Sequence, residues 1–313
     1  MRIIICLTLL AIQAVFPGCN KKKEVVLKET RELKYPSASG VICYNKVIYI
    51  IGDDAPYILT LDYELNIKDS IPLFDTSGKR IPKNTKPDLE SLALVNDHKN
   101  PTLLAMGSGS LIPYRNICIL LDPVTNIFQT IRLDTFYKRI NDAGIKELNI
   151  EGAASIPGGI LLASRGNKAY PKNNLVLTTS GFWNNQDSAE IRLIKTGVNT
   201  DTSFFNGISG LEYSKKSDRL LLAVSTENTY NSLADGTIGK SYLWIINDIS
   251  SKKRFSAINP NRVIDLEETD KRFIGQKIES VCILNETRKQ MELLLVSDND
   301  KGSSVLFRLL LEK

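Results

Sequence analysis

A short pattern of apolar and polar positions recurs along the chain, and residues 279–300 show it most completely. This stretch opens with Glu279 and Ser280, continues as an apolar run, passes through polar residues and returns as a second apolar run into Ser297 and Asp298. Two apolar runs joined by a polar turn predict a β-hairpin whose open ends carry the polar groups. Related stretches begin at residues 39, 90, 151 and 209.

The spacing of these five hairpins indicates a repeat protein. Their starting positions lie about 50 to 70 residues apart, the length of one four-stranded propeller blade with variable loops. Two further strand-like runs follow each of the first four hairpins, and a single run follows the last. Residues 24–33 are predicted to supply the missing strand, because closed propellers are commonly latched by a strand from the other terminus.

The sequence therefore predicts an all-β protein, a β-propeller of five blades with four antiparallel strands each. Six blades, with a degenerate unit between residues 209 and 279, is the alternative. One helix is expected in a loop, over residues 134–143, with Asp134 as its N-cap.

The first residues predict export. Arg2 is followed by an apolar run of about 14 residues, too short for an ordinary transmembrane helix and typical of a signal-peptide core. The run ends at Pro17, Gly18 and Cys19, and a cysteine in this position resembles the lipobox of bacterial lipoproteins, in which the cysteine is diacylated. A plain secretory signal cut nearby is the other interpretation.

The predicted organisation is a signal peptide at residues 1–18, a lipidated tether at 19–23 and a single propeller domain at 24–313. No acidic run follows Cys19, although such a run is often associated with surface export of lipoproteins, so the periplasmic side of the cell envelope is favoured. The lipid anchor makes the membrane the expected partner. The formal charge of +5 is too small and too dispersed to indicate a nucleic-acid partner. Cys43, Cys118 and Cys282 lie in apolar strands and are expected to be mainly buried free thiols.

The hairpin geometry places a candidate site at one rim of the central channel. The start of the first strand and the end of the second lie at the same end of a hairpin, so every blade delivers polar residues to this rim. The acidic residues brought there are Glu90, Glu151, Glu279, Asp298, Asp300, Asp53, Asp54 and Glu227. Carboxylates this close together are costly unless a cation lies among them.

Three arrangements could satisfy these carboxylates. A divalent ion, with calcium preferred in a roomy ring, would be held by Glu90, Glu151, Glu279 and Asp298. Alternatively, Lys86, Arg115 and Arg165 would form internal ion pairs, and these three cations are also the candidate residues for binding an anion. In the third arrangement the carboxylates are simply solvated. The polar loop at residues 229–240 could cover the rim in each case.

Several catalytic classes are disfavoured. His98 is the single histidine and lies in a predicted turn at the opposite end from the rim, which argues against Ser-His-Asp chemistry and a His-ligated zinc site. The Gly-Ser-Gly-Ser run at residues 107–110 opens no helix, so it is interpreted as a turn rather than a phosphate-binding loop.

The same residues carry a resemblance to known propellers. The blade starts Glu151-Gly152 and Glu279-Ser280 resemble those of phytase-like propellers, a family associated with esterase-like activity. The runs GSGS, SRGN, STEN and LVSDND resemble a family of Bacteroidota lipoproteins over nearly the whole mature chain. This resemblance implies a propeller with no established activity. In lactonase-type propellers, a glutamate of this kind binds a central divalent ion, and the resemblance implies the same role for Glu151. The proline that usually follows this glutamate is absent here.

Two functional classes remain open. The first is an envelope lipoprotein whose rim, acidic and able to hold calcium, binds a ligand or an unidentified protein partner. The second is a metal-dependent hydrolase of small anionic esters such as phosphate esters, with Arg115 or Arg165 holding the anion and a metal-polarised water attacking it. The first is favoured because no pair of nucleophile and base can be named.

Overall fold

The computed structural model describes residues 24–76, 78–97, 100–197, 205–231, 236–252, 254–298 and 302–313. The predicted signal peptide, Cys19 and His98 lie outside the described residues. Within the described part, no helix is both long enough and apolar enough to cross a membrane.

The described strands form five sheets of antiparallel strands. Strand β1 (Val25–Leu33) opens this part of the chain. Blade 1 contains β2 (Ala38–Tyr44), β3 (Val47–Gly52), β4 (Tyr57–Leu61) and β5 (Ile67–Pro72). Blade 2 contains β6 (Leu89–Asp97), β7 (Asn100–Gly107), β8 (Ile117–Leu121) and β9 (Phe128–Arg132). Blade 3 contains β10 (Ile150–Ile156), β11 (Gly159–Ser164), β12 (Asn173–Thr178) and β13 (Arg192–Thr196).

The second half of the chain completes the ring. Blade 4 contains β14 (Phe205–Ser214), β15 (Arg219–Asn228), β16 (Thr237–Asn247) and, after the two-residue β17 (Ala257–Ile258), β18 (Arg262–Asp265). Strand β17 pairs in parallel with the outer edge of β13 in blade 3. Blade 5 contains β19 (Lys277–Glu286), β20 (Gln290–Asp298) and β21 (Ser304–Glu312), with β1 as its outer strand.

The predicted latch is confirmed. Strand β1 pairs antiparallel with β21 from Val25 opposite Leu311 to Leu33 opposite Ser304, with one irregularity after Leu27. The two ends of the described chain thus share a sheet, which removes the free edge that blade 5 would otherwise expose. The prediction of five blades is correct and the six-blade alternative is wrong.

The core lies between the blades rather than inside any one of them. Five apolar clusters are present among the described residues, and each joins two adjacent blades. Leu104 with Leu162 joins blades 2 and 3, for example, and Cys282 with Ile50 joins blades 5 and 1. A blade buried on both faces needs apolar residues at both parities, which explains the unbroken apolar runs in the sequence. Cys43, Cys118 and Cys282 are free thiols within this packing.

Three short helices and one 3₁₀ turn lie in the connections: α1 (Asp134–Asp142), α2 (Ile249–Lys252), α3 (Leu266–Thr269) and the turn Lys271–Phe273. The predicted capping of α1 is wrong, because Leu133 occupies the N-cap position and makes no side-chain cap bond. The Asp134 carboxylate instead pairs with the guanidinium of Arg132, at 2.6 Å. Arg132 is two residues away and offers two parallel charge-assisted hydrogen bonds, which a backbone amide cannot match.

Candidate functional site

Each inner strand carries a β-bulge at the same place. The inner strands β2, β6, β10, β14 and β19 contact one another around the central channel. In every one, the pairing with the second strand of the hairpin skips one residue near the start. The skipped residues are Ser39, Glu90, Glu151, Ser209 and Glu279. A bulge turns a side chain away from the regular alternation of the strand, so the recurring polar position of the sequence is a recurring bulge.

The two serines and the three glutamates use this bulge differently. Ser39 donates its hydroxyl hydrogen bond to the carbonyl of Leu89, and Ser209 donates to the carbonyl of Ile278 at 2.6 Å. Each serine therefore ties its blade to the next along the chain. Gly210, which follows the second serine, has no room for a side chain because a Cβ atom there would lie 2.8 Å from the Cα of Ser280.

The three glutamates line a cavity of about 100 Å³ at the mouth of the channel, which we call the rim cavity. All five blades contribute to its walls, and the described residues that line it include seven carboxylates and five cationic side chains. These residues are Asp53, Asp88, Glu90, Glu151, Glu227, Glu279, Asp298, Lys83, Lys86, Arg115, Arg165 and Lys277. Every metal- or anion-binding residue predicted within the propeller is among them, so the structure brings the predicted residues together. Their roles stay predictions.

One side of the rim cavity is organised around Lys86. Its ammonium contacts Asp53 and lies 2.8 Å from the carboxylate of Asp88. The other oxygen of Asp88 accepts hydrogen bonds from Arg115 at 2.6 Å and from the Ser108 hydroxyl at 2.5 Å. We call Asp53, Lys86, Asp88, Glu90 and Arg115 the Lys86 group.

The Gly-Ser-Gly-Ser run serves this group. Arg115 also donates to the Ser110 hydroxyl at 2.8 Å, and the two serine hydroxyls lie 2.8 Å apart. The run is a turn, as predicted, and its hydroxyls hold Asp88 and Arg115 in place.

The other side is organised around Arg165, which is 6% exposed. Its guanidinium lies 3.3 Å from the carboxylate of Glu151 and 3.1 Å from that of Glu227. Lys277 bridges onward, at 2.9 Å from Glu279 and 3.6 Å from Glu227. We call Glu151, Arg165, Glu227, Lys277 and Glu279 the Arg165 group.

Local backbone positions this second group. A Cβ atom at Gly207 would lie 2.3 Å from Nε of Arg165, so the guanidinium packs against bare backbone of β14. The remaining oxygens are also used: Asn149 donates to Glu151 at 2.6 Å, and the amide of Gly236 donates to Glu227 at 2.8 Å. Protein donors therefore satisfy the carboxylates of this group better than the carboxyl group of Glu90, which makes no hydrogen bond within the described residues.

Burial and crowding raise the pKa of several acids here. Burial raises the pKa of Asp53 to about 6, against the opposing effect of Lys86. Burial raises the pKa of Glu151 to about 7, although Arg165 favours its charged form. The pKa of Glu90 is held well above its ordinary value by burial and by the charges of Asp88 and Glu151. A carboxyl group that keeps its proton can donate a hydrogen bond, whereas a carboxylate can only accept one.

The geometry of the described residues groups one set of carboxylates closely enough for a metal ion. Oxygen atoms of Asp53, Asp88 and Glu90 all lie within 4.8 Å of one another. Of the four predicted ligands, Glu90 belongs to this set, whereas Glu151 and Glu279 face Arg165 and Lys277. Hard oxygen donors suit calcium or magnesium, but Lys86 already contacts two of the three carboxylates.

Sequence reasoning missed Asp88, Asn149 and Lys277. Each stands two residues before a bulged glutamate, and this repeated spacing was the signal that could have found them. The predicted covering loop is only partly tested, since Thr229 and Asn231 line the rim cavity, β16 begins at Thr237 and residues 232–235 lie outside the described part.

A model of a family of unknown function, DUF6929, matches residues 34–311. The chain belongs to this family. The matched range contains all five inner strands and every residue that lines the rim cavity, so the cavity lies wholly within the DUF6929 region. No curated protein matches the chain.

Several solved structures are similar to this DUF6929 chain over most of its length. Glutaminyl cyclase from Myxococcus xanthus is 10% identical with a TM-score of 0.48, over 92% of this chain and 97% of that one. A catalytically inactive virginiamycin B lyase from Staphylococcus aureus with quinupristin is 9% identical with a TM-score of 0.42, over 90% and 99%. A chain of a nidogen/laminin complex is 13% identical with a TM-score of 0.40, over 84% and 75%. Similarity at this level carries no argument about activity.

Proposed function

We propose that the protein is a binding module that takes a small, strongly hydrophilic ligand in the rim cavity. The observation that carries the proposal is the wall of this cavity, to which five blades contribute twelve charged side chains. Buried ion pairs are often no more stabilising than apolar residues of the same volume, so an apolar plug would close the channel at no greater cost. A charged cavity of about 100 Å³ is better explained by a ligand than by stability.

The charge pattern narrows the ligand class. Lys86, Arg115, Arg165 and Lys277 all contact carboxylates of the wall, so a simple anion would have to displace one of these carboxylates. Carboxylates outnumber cations by seven to five. A metal ion, a zwitterion or a polyhydroxylated compound fits this wall better than an anion alone.

The binding proposal is tested with a panel of small hydrophilic probes. Glycine betaine, neutral amino acids, monosaccharides, inorganic phosphate and calcium chloride would each be titrated by calorimetry against the purified propeller. We expect at least one probe to bind, and Glu279→Gln to weaken it by about tenfold or more, because a charged hydrogen-bonding partner is lost. Binding that is equal in the variant, or absent for the whole panel, would contradict the proposal.

Calcium is the finer part of the proposal. The group formed by Asp53, Asp88 and Glu90 supports it, since a divalent ion could replace the Lys86 ammonium among these oxygens. Lys86→Met then provides a sharp test, because it removes the resident cation and leaves the carboxylates in place. We expect this variant to be destabilised in chelator and rescued by calcium, with a gain of about 2.7 kcal/mol at a hundred times the dissociation constant.

The outcome for the wild type separates the alternatives. If calcium raises the melting temperature of Lys86→Met but not of the wild type, the internal lysine acts as the cation of this site. If calcium stabilises neither protein, the calcium proposal fails and internal pairing explains the carboxylates.

A metal-dependent hydrolase is the second candidate, and the same three carboxylates are the observation that favours it. Its test is turnover of p-nitrophenyl phosphate and p-nitrophenyl acetate with calcium, with Asp88→Asn as the inactive control. Calcium-dependent turnover that disappears in Asp88→Asn would show that the protein is an enzyme rather than a binding module. Equal rates in both proteins would remove the candidate.

We further propose that the module is anchored in the cell envelope through Cys19. The apolar run before this cysteine supports the proposal, and Cys19 is the anchor that the sequence suggests. Cys19→Ser should move the protein from the membrane fraction to the soluble periplasmic fraction. A variant that fractionates like the wild type would contradict lipidation.

A further inference from the structure

The opposite end of the central channel holds a second cavity, of about 450 Å³, which we call the distal cavity. Its walls come from the far ends of inner strands β2, β6, β10 and β14. About half of the surface is apolar, and the apolar lining residues are Ile42, Ala93, Leu94, Ala153, Ala154 and Ile156. The volume is that of an ordinary small-molecule site.

One acid stands in this wall without a cation. Glu212 on β14 is partly buried and forms no ion pair within the described residues. Its carboxyl interacts with the backbone amide of Ile283 on the neighbouring inner strand. Burial raises the pKa of Glu212 to about 8, and this amide only partly opposes the effect.

The other titratable groups around Glu212 do not neutralise it. Burial raises the pKa of the thiols of Cys43 on β2 and Cys282 on β19, and the nearby charge of Glu212 raises it further. Both thiols therefore stay neutral. Tyr213 turns its hydroxyl to Asp218, at 3.0 Å. Lys215 lines the margin of the cavity but is exposed and forms no ion pair with Glu212.

We propose that the distal cavity binds a small organic cation, an ammonium group carried on an apolar body, with the Glu212 carboxylate as its counter-ion. The apolar body would cover the Ile, Leu and Ala side chains of the wall, and the ammonium would supply the missing cation. A charge pair is far stronger beside apolar walls than in water, which favours this class over a neutral ligand. Without such a ligand the acid is a costly residue at this place, because a carboxylate withdrawn from water without a counter-ion destabilises the fold.

This site is independent of the rim cavity. The inner strands meet closely between the two ends, as the contact of Gly210 with Ser280 illustrates. The two cavities share no lining residue. Failure of the rim proposal would therefore leave the distal proposal untouched, and the reverse also holds.

The test uses three probes of one shape and different charge: benzylamine, benzyl alcohol and benzoate. Calorimetry on the intact propeller should show that benzylamine binds at least about tenfold more tightly than the alcohol, and that benzoate does not bind. Glu212→Gln keeps the size of the side chain and removes its charge, and it should abolish the preference for the amine. Equal binding of benzylamine to wild type and variant would assign the amine to another place and overturn the proposal.

A second measurement needs no variant. Below the Glu212 pKa of about 8, binding an ammonium requires the acid to release its proton, so the affinity for benzylamine should rise by about tenfold per pH unit from pH 6. The observed binding enthalpy should depend on the buffer, reporting the released proton. An affinity that is constant or falls over this interval would show that the neutral acid, not the carboxylate, meets the ligand.

Two further variants locate the probe. Ser155→Phe adds bulk at a partly exposed position of the wall and should prevent binding, whereas Lys215→Ala removes a like charge at the margin and should raise the affinity for benzylamine a few-fold. Unchanged affinity in Ser155→Phe would overturn the proposal.

Discussion

The two ends of the channel are built by the same inner strands and differ in how they treat charge. At the rim, acids are met by cations from neighbouring strands and loops, as Glu151 is by Arg165. At the distal end, Glu212 lies in a wall of mixed apolar and polar surface and forms no ion pair within the described residues. Burial raises the pKa at both places, to about 7 for Glu151 and about 8 for Glu212. A paired acid depends on its partner for stability, whereas an unpaired acid only costs stability, and the following experiments separate the two.

The largest effect is expected from removing Arg165. Arg165→Ala leaves Glu151 and Glu227 buried without their main cation, which should lower the free energy of unfolding by about 3–5 kcal/mol. Urea denaturation measures the change. Arg192→Ala is the matched control, because its pair with Glu190 is exposed and should contribute less than about 1 kcal/mol. Similar losses in the two variants would mean that the Arg165 group is solvated and carries little stability.

Removing one charge from each end should give effects of opposite direction. Glu151→Gln weakens the hold on Arg165 and should cost about 1–3 kcal/mol of unfolding free energy at pH 8. Glu212→Gln removes an uncompensated carboxylate and should be neutral or stabilising under the same conditions. A marked destabilisation by Glu212→Gln would show that a protein group stabilises this carboxylate. The two ends of the channel would then not differ in how their acids are paired.

The pH dependence of stability should reflect the distal acid. An acid with a raised pKa keeps its proton in the folded protein at pH values where the unfolded chain has lost it, so stability falls as pH rises through that interval. For Glu212 the interval runs from about 4.5 to about 8, and for Glu151 it ends at about 7. Denaturation at a series of pH values should therefore show a decline between pH 7 and 8 that is shallower in Glu212→Gln. A decline of equal slope in the variant would assign it to other groups.

The smallest effect concerns the bulges themselves. Ser209→Ala removes the hydrogen bond to the carbonyl of Ile278 and should lower stability by about 0.5–1.5 kcal/mol. Because Ser209 does not line either cavity, the binding of rim or distal probes should not change. A loss of probe binding in a stably folded Ser209→Ala would show that this serine positions the rim rather than joining two blades.

Much of the fold followed from local pattern. We could predict the hairpin repeat, the closing strand at residues 24–33 and the polar ends of the hairpins from the sequence. These features depend on side-chain alternation and turn residues, which involve only a few neighbouring positions. The failure at Asp134 is also instructive: the cap motif was present, but Arg132 competed for the same carboxylate. The rim position of Glu90, Glu151 and Glu279 was predicted as well, since one geometric rule applies to every blade.

By itself, the sequence determined the repeat, the number of blades and which end of each hairpin is polar, because these depend on short-range periodicity. Only the tertiary structure decided which charges meet. Arg165 reaches Glu227 across a blade boundary, Lys277 joins two blades, and Glu212 meets no cationic side chain in the described part of the chain. Ion pairs depend on distances of a few ångströms between strands that are about 60 residues apart in the chain, and no local pattern encodes such distances.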